Sequence, residues 1–307
     1  MALGPTSGRR GPSPEEPDDA VDIFADSLEA LYDHHVPAHG DPLQLYTYTP
    51  PAGTGAPNLT VRLPPQQVQE LFAHHVWNAS LRLADAIAEE RLVTRGETVV
   101  ELGAGAGIPS LMAARAGAKR VVLTDYDDPL IVANMRSNIA LALPELRTSS
   151  VSAEGHCWGD AKSLNRILAA NDHALYSMIL LADTLWVSSA HDLLLSSLVQ
   201  LLERTSDARI AICAGFHSGR RTVRRFVQKA AVVGLVPRGA PWQEVGVDGG
   251  RREWIHRLRD VGGGLPASNP GDAAAADDEE EWDEEDASER NKFVVEGLLG
   301  WSDQALA

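Results

Sequence analysis

The amino-acid sequence predicts a doubly wound α/β fold with a mostly parallel central sheet, preceded by an N-terminal extension of a β-hairpin and a helix. Three observations predict it. Short β-branched or aliphatic runs at Thr98–Leu102, Arg120–Thr124, Ser149–Ala153, Met178–Leu181 and Arg209–Cys213 alternate with helical stretches at about 110–117, 129–142, 190–204 and 219–233. Strand alternating with helix is the pattern of a parallel sheet covered on both faces. The first run passes into Gly103-Ala-Gly-Ala-Gly107, and the second ends on Asp125, 24 residues after Glu101.

The elements are justified in chain order. Residues 1–20 are rich in Pro, Gly and acid and lack periodic apolar positions, so they read as a flexible tail. Phe24–Leu31 reads as a short helix, and Leu43–Tyr48 and Leu59–Leu63 read as two strands around the turn-rich stretch Pro50–Pro57. From Pro65 to Arg91 the apolar residues recur mostly at three- and four-residue spacing, as amphipathic helices require. After the five core strands, Trp242–Val247, Glu253–Leu258 and Lys292–Leu299 are three strand candidates for the two places such a fold usually has. The expected organisation is one domain over 21–307: an N-terminal extension at 21–95, a core at 96–260, an acidic disordered insertion at about 262–290 and a C-terminal strand at 292–299.

Composition narrows the function classes. The 307 residues are 44% hydrophobic and 23% charged, ordinary values for a soluble globular enzyme. No stretch approaches the roughly 18 to 20 apolar residues of a membrane helix, and the N-terminus lacks the apolar core of a signal peptide, so a cytoplasmic protein is expected; a monomer is expected as well. Cys157 and Cys213 are the only cysteines, which supports neither a disulfide framework nor a zinc site. Eleven carboxylates and no Lys or Arg fall within Asp272–Glu289, and without them the net charge of −16 becomes −5. So dense an acidic tract reads as a solvated spacer, or as a docking element for a basic partner. An acidic chain disfavours nucleic acid, whose phosphates need clustered Lys and Arg. The cluster Arg220, Arg221, Arg224 and Arg225 is the exception and reads as a solvated helix face. Side chains of the adjacent pairs His34-His35 and His74-His75 diverge on either a helix or a strand, so no metal site is expected.

Glycines in the loop after the first strand permit positive φ and remove side chains, so backbone N–H groups can approach a ligand. A bare glycine turn would need no ligand, and a dinucleotide enzyme could use a similar loop. Asp125, at the end of the second strand, can accept hydrogen bonds from both ribose hydroxyls of a nucleoside; the alternative, capping the next helix, suits Asp127 and Asp128 better. A nicotinamide fingerprint would place its third glycine at Ile108, whereas Glu-Leu-Gly-Ala-Gly-Ala-Gly is the commoner methyltransferase form.

Five segments carry a specific resemblance: His75-Val-Trp77-Asn-Ala, Val100-Glu-Leu-Gly-Ala-Gly-Ala-Gly-Ile-Pro-Ser110, Val122-Leu-Thr-Asp125-Tyr, Gly155-His-Cys-Trp158-Gly and Ile179-Leu-Leu-Ala182-Asp183-Thr-Leu-Trp186. Over roughly residues 40–260 the chain resembles the seven-β-strand lysine methyltransferases, and within them the fungal elongation factor 1-alpha N-terminal and lysine N-methyltransferases. The resemblance implies a seven-stranded Rossmann-like methyltransferase sheet, S-adenosyl-L-methionine as cofactor, and a protein substrate, the elongation factor's N-terminal α-amine and adjacent lysine. It also implies that Trp77 closes over the cofactor, that Gly103, Ala104 and Gly105 cradle its methionyl end, and that Asp125 holds the ribose. Trp158 would border the adenine and Ala182 would line the pocket. Asp183 and Trp186 match the acidic-x-x-aromatic motif that this group carries beside the acceptor amine, with Trp in place of the more usual Tyr. Read from the residues alone, both tryptophans are equally explained as core, and Asp183 as a helix cap. His156 and His217 are candidate proton acceptors, with a structural role as the plainer reading of each. Methylation of a small amine such as nicotinamide, or a non-catalytic S-adenosylmethionine-binding adaptor, are the alternatives.

Overall fold

The computed structural model describes residues 38–65, 75–144, 150–246, 249–254 and 292–307. The expected tail, the Phe24–Leu31 helix and the acidic insertion lie outside the described residues, as do residues 66–74 and 255–258 of two other expected elements.

Ahead of the main sheet stand four short strands: β1 (Ala38–His39), β2 (Leu45–Tyr48), β3 (Leu59–Arg62) and β4 (Val76–Trp77). The expected hairpin is β2 with β3, antiparallel in the register Leu45↔Arg62 to Tyr48↔Leu59. The β4 strand pairs antiparallel with β1, a ladder that two residues do not announce in the sequence. Helix α1 (Asn78–Ala88) follows, and the Tyr48 hydroxyl donates to Asp85 on it at 2.7 Å, tying the hairpin to the helix.

The main sheet comprises β5 (Thr98–Leu102), β6 (Arg120–Asp125), β7 (Val151–Gly155), β8 (Met178–Ala182), β9 (Arg209–Gly215), β10 (Leu235–Gly246), β11 (Arg251–Glu253) and β12 (Phe293–Trp301). Their order is β11-β10-β12-β9-β8-β5-β6-β7. The five strands from β9 to β7 run parallel, whereas β12, β10 and β11 are antiparallel to their neighbours. Of the three C-terminal candidates, Trp242–Val247 falls on β10 and Lys292–Leu299 on β12, whereas Glu253–Leu258 shares only Glu253 with β11 and has Trp254 outside any strand. The seven expected are present, and the three-residue β11 adds an eighth at the edge.

Among the described residues the α-helices that follow are α2 (Ile108–Arg115), α3 (Pro129–Ala142), α4 (Ala161–Ala170), α5 (His191–Leu201), α6 (Arg220–Val232) and α7 (Asp303–Leu306). Successive residues of a strand point to opposite faces, so Met178, Leu180 and Ala182 join α1, α2 and α3 in one core while Ile179 and Leu181 join α4, α5 and α6 in the other. Along the chain β5, β6 and β7 step to one side and β8 and β9 to the other. The strand order thus reverses between β5 and β8, and a crevice opens at their C-terminal ends.

Three local features differ from expectation. The strand expected at 149–153 runs two residues later, and α4 was not expected at all. Its apolar face is Leu164, Ile167 and Leu168 at three- and four-residue spacing, with Ala170 beside them, a short amphipathic pattern that the sequence reading did not include. Third, β10 begins at Leu235, seven residues before the strand candidate Trp242–Val247, and runs through Pro237, Gly239 and Pro241. A register shift between Arg238 and Gln243 accommodates the Gly239 to Pro241 segment.

No described helix is long and apolar enough to cross a membrane.

Candidate active site

The glycine loop leaves β5 at the crevice and caps α2, with Gly107 as the N-cap residue at φ 83° and Pro109 in the first turn. Gly103 holds φ 73°, and a Cβ there would fall 2.7 Å from Thr184 Cγ2, so the position admits no side chain on either count. The Gly105 N–H donates to Asp125 Oδ2 at 2.6 Å, and the Tyr126 N–H to Asp125 Oδ1 at 2.7 Å. Burial raises the Asp125 carboxyl above its ordinary range, opposed by these two hydrogen bonds. Asp125 is free of capping duty, because Asp128 caps α3 by accepting from the Leu130 and Ile131 N–H groups, and Asp127 pairs with Arg166 at 2.6 Å.

Beneath the loop, Glu101 is fully buried and accepts from the Ser110 N–H at 3.0 Å. Its Oε1 has no partner among the described residues, and burial pushes its carboxyl up to about 8. The side chain is mainly protonated at neutral pH. Asn138, also fully buried, accepts from the Arg62 N–H and donates to Arg62 O and Ala106 O, which locks the hairpin, α3 and the loop together.

Across the crevice, β8 ends on Ala182, and Asp183 turns out of the strand at φ 60°, a left-handed conformation that few non-glycine residues adopt. Its Oδ1 accepts from the Gly215 N–H at 2.9 Å, and its Oδ2 lies 2.8 Å from His217 Nε2. The Trp77 ring meets His217 edge-on at 5.4 Å between centroids. Trp186 is held through its carbonyl, which accepts from the Ser218 hydroxyl at 2.8 Å.

All nine residues singled out in the sequence, Trp77, Gly103, Ala104, Gly105, Asp125, Trp158, Ala182, Asp183 and Trp186, line one cavity of about 180 Å³. His156 borders it too, but its ring nitrogens face Ser163 Oγ and Ser197 Oγ, each at 2.9 Å, and burial pushes it down to about 4. It is a neutral clamp between α4 and α5, with neither nitrogen left to accept a substrate proton. Tyr126, Thr184 and Leu193 also line the cavity without having been read from the sequence. Tyr126 and Thr184 stand inside segments that carry the resemblance but were given no role there, and nothing in its spacing marks Leu193. The pairing of His217 with Asp183 is equally invisible, because 34 residues separate two side chains that only the sheet brings together.

One surface expectation is corrected. Arg220 is not on a solvated face: it makes a two-pronged ion pair with Glu244 at 2.7 and 2.8 Å, and Glu244, 3% exposed, also receives Arg252.

A glycine loop at the switch point of a doubly wound sheet, with a carboxylate ending the neighbouring strand, is the arrangement by which many α/β proteins of this class hold nucleotides. The chain belongs to the lysine methyltransferase family, which matches residues 57–231. It is 34% identical over 148 residues to the protein N-terminal and lysine N-methyltransferase of Schizosaccharomyces pombe, covering 48% of this chain and 57% of that one. To the enzyme of the same description in Gibberella zeae it is 37% identical over 140 residues, covering 43% and 53%. The chain thus spans about half the length of these relatives. A solved structure from Streptococcus mutans, described as a sam-dependent methyltransferase, shares the fold at a TM-score of 0.50 and 12% identity, covering 87% of this chain and 58% of that one.

Proposed function

We propose that this protein is a cytoplasmic, monomeric S-adenosylmethionine-dependent N-methyltransferase that modifies the N-terminal α-amine and the adjacent lysine of elongation factor 1-alpha. One observation carries the reading: the Asp183 carboxylate and the Trp186 indole line the same cavity as the glycine loop and Asp125. A nucleoside pocket and an amine-binding acid therefore share one space. Two features of the cavity support the cofactor: Gly103, at φ 73°, presents bare backbone at its wall, and the Asp125 carboxylate is oriented there by the Gly105 N–H. The substrate and its N-terminal site come from the resemblance and from the description of the relatives.

S-adenosylmethionine, when bound, supplies a sulfonium methyl open to in-line attack by a neutral amine. In this reading Gly103, Ala104 and Gly105 hold its methionyl end against the backbone, Asp125 accepts from the ribose hydroxyls, and Trp77 and Trp158 offer flat apolar faces. Asp183 attracts the cationic amine and, once a proton has left, accepts an N–H that aims the lone pair. Trp186 walls the ammonium by a cation–π contact. An α-amine, with an ordinary pKa of about 7.7 to 8.0, loses its proton readily near neutrality, whereas a lysine at about 10.4 depends more on desolvation in the cavity. Positioning of this kind is a large part of what such a reaction needs.

The test is to incubate the protein with isotopically labelled S-adenosylmethionine and elongation factor 1-alpha, and to map the label by mass spectrometry. Methyl groups are expected within the first few residues. Their absence there would sink the proposal, and label appearing on nicotinamide instead would replace it with small-amine methylation.

A further inference from the structure

We infer that His217 is a positioning residue that orients the Asp183 carboxylate toward the acceptor amine, acting as the neutral tautomer with its proton on Nε2. The inference rests on the role proposed for Asp183 above.

An ionised carboxylate only accepts hydrogen bonds, so the 2.8 Å contact between Asp183 Oδ2 and His217 Nε2 requires a proton on Nε2. The two side chains are 6% and 8% exposed, so the bond is sheltered from competing water. The other ring nitrogen, Nδ1, is buried and has no hydrogen-bond partner among the described residues. A doubly protonated ring would bury an unpaired N–H donor of a charged group there. The neutral ring leaves only a bare lone pair, which costs less.

Three further features hold this arrangement. Gly215 donates its N–H to Asp183 Oδ1, and a Cβ at Gly215 would lie 2.6 Å from His217 Nε2 and 3.1 Å from Asp183 Oδ1. The pair therefore occupies the space of a side chain at that position. Arg220, three residues beyond His217, stacks on Phe216 at 4.4 Å and is clamped by Glu244, so the segment carrying the imidazole is fixed on both sides. The Trp77 ring packs edge-on against the imidazole from the cofactor side of the cavity. With one hydrogen bond on each oxygen, Asp183 keeps about two of its four acceptor positions for an incoming amine. Its left-handed backbone makes a fixed side chain more necessary, since little in the local chain favours that conformation.

The experiment compares wild type with His217→Gln and His217→Leu. It uses methyl transfer to elongation factor 1-alpha, calorimetric S-adenosylmethionine binding and long-range 15N–1H NMR of the histidine ring. His217→Leu is expected to lower kcat about 10- to 100-fold, the loss of a hydrogen bond to a charged group, with cofactor affinity within about threefold of wild type. The Gln amide retains an N–H that reaches Oδ2, and His217→Gln should recover kcat to within roughly fivefold of wild type. The spectrum should show the proton on Nε2. A proton on Nδ1, equal losses in the Gln and Leu variants, or an unchanged kcat in the Leu variant would each overturn the inference. Failure of the wild type to transfer methyl to the factor would strike the proposed function. Transfer that His217→Leu leaves unchanged would strike this inference alone.

Discussion

The two halves of the cavity are built in opposite ways. The side we assign to the cofactor is built mainly from one contiguous segment: β5, the glycine loop and α2 follow one another, and Asp125 closes the loop through the N–H groups of Gly105 and Tyr126. The side we assign to the acceptor is made of side chains from separate segments: Asp183 and Trp186 after β8, and His217 after β9. Local chain geometry fixes the first, and only tertiary structure fixes the second. Perturbations at a distance should therefore damage the acceptor side, and perturbations of backbone freedom the cofactor side.

The largest expected effect tests the distant support. Glu244→Ala leaves Arg220 without its buried carboxylate, and removing one partner of a buried pair costs about 3 to 5 kcal/mol, to be read from urea unfolding. Next, Gly103→Val forces a branched side chain into φ 73° against Thr184, and calorimetry should show S-adenosylmethionine affinity about 10- to 100-fold weaker.

Glu101→Gln sharpens the comparison through pH. The Glu101 carboxyl is raised in the folded protein from 4.5 to about 8, so the folded state holds its proton more tightly than the unfolded chain does. Wild-type stability from this group is full below about 4.5 and is lost as the pH rises toward about 8. Gln mimics the protonated form, so its Tm should match wild type near the lower pH and exceed it increasingly toward the upper one. A constant offset would mean that Glu101 does not titrate in this window. The smallest effect is expected of Trp186→Leu, which removes a cation–π contact and should raise the substrate KM about two- to fivefold without changing cofactor affinity.

The same division decides what was legible in the sequence. The glycine loop and Asp125 could be read because a strand, a turn and a second strand at fixed spacing determine their geometry locally, and α3 falls at 129–142 as its pattern and its Asp128 cap predict. Residues of the acceptor side could be named only through resemblance, and their mutual contacts could not be read at all. His217 illustrates this: as an isolated histidine its plainest reading is structural, and its meaning comes from Asp183, Gly215 and Trp77. Arg220 was misplaced for a related reason. Its cluster looks like a solvated stripe until Glu244, 24 residues on along the chain, is brought beside it by the fold.

Separability of the two halves is tested most directly by titrating S-adenosylmethionine into Asp125→Ala and Asp183→Asn side by side in a calorimeter. The account predicts that Asp125→Ala weakens binding about 10- to 100-fold, as loss of charged hydrogen bonds should, while Asp183→Asn stays within about threefold of wild type. Comparable losses in both variants, or full affinity in Asp125→Ala, would contradict it.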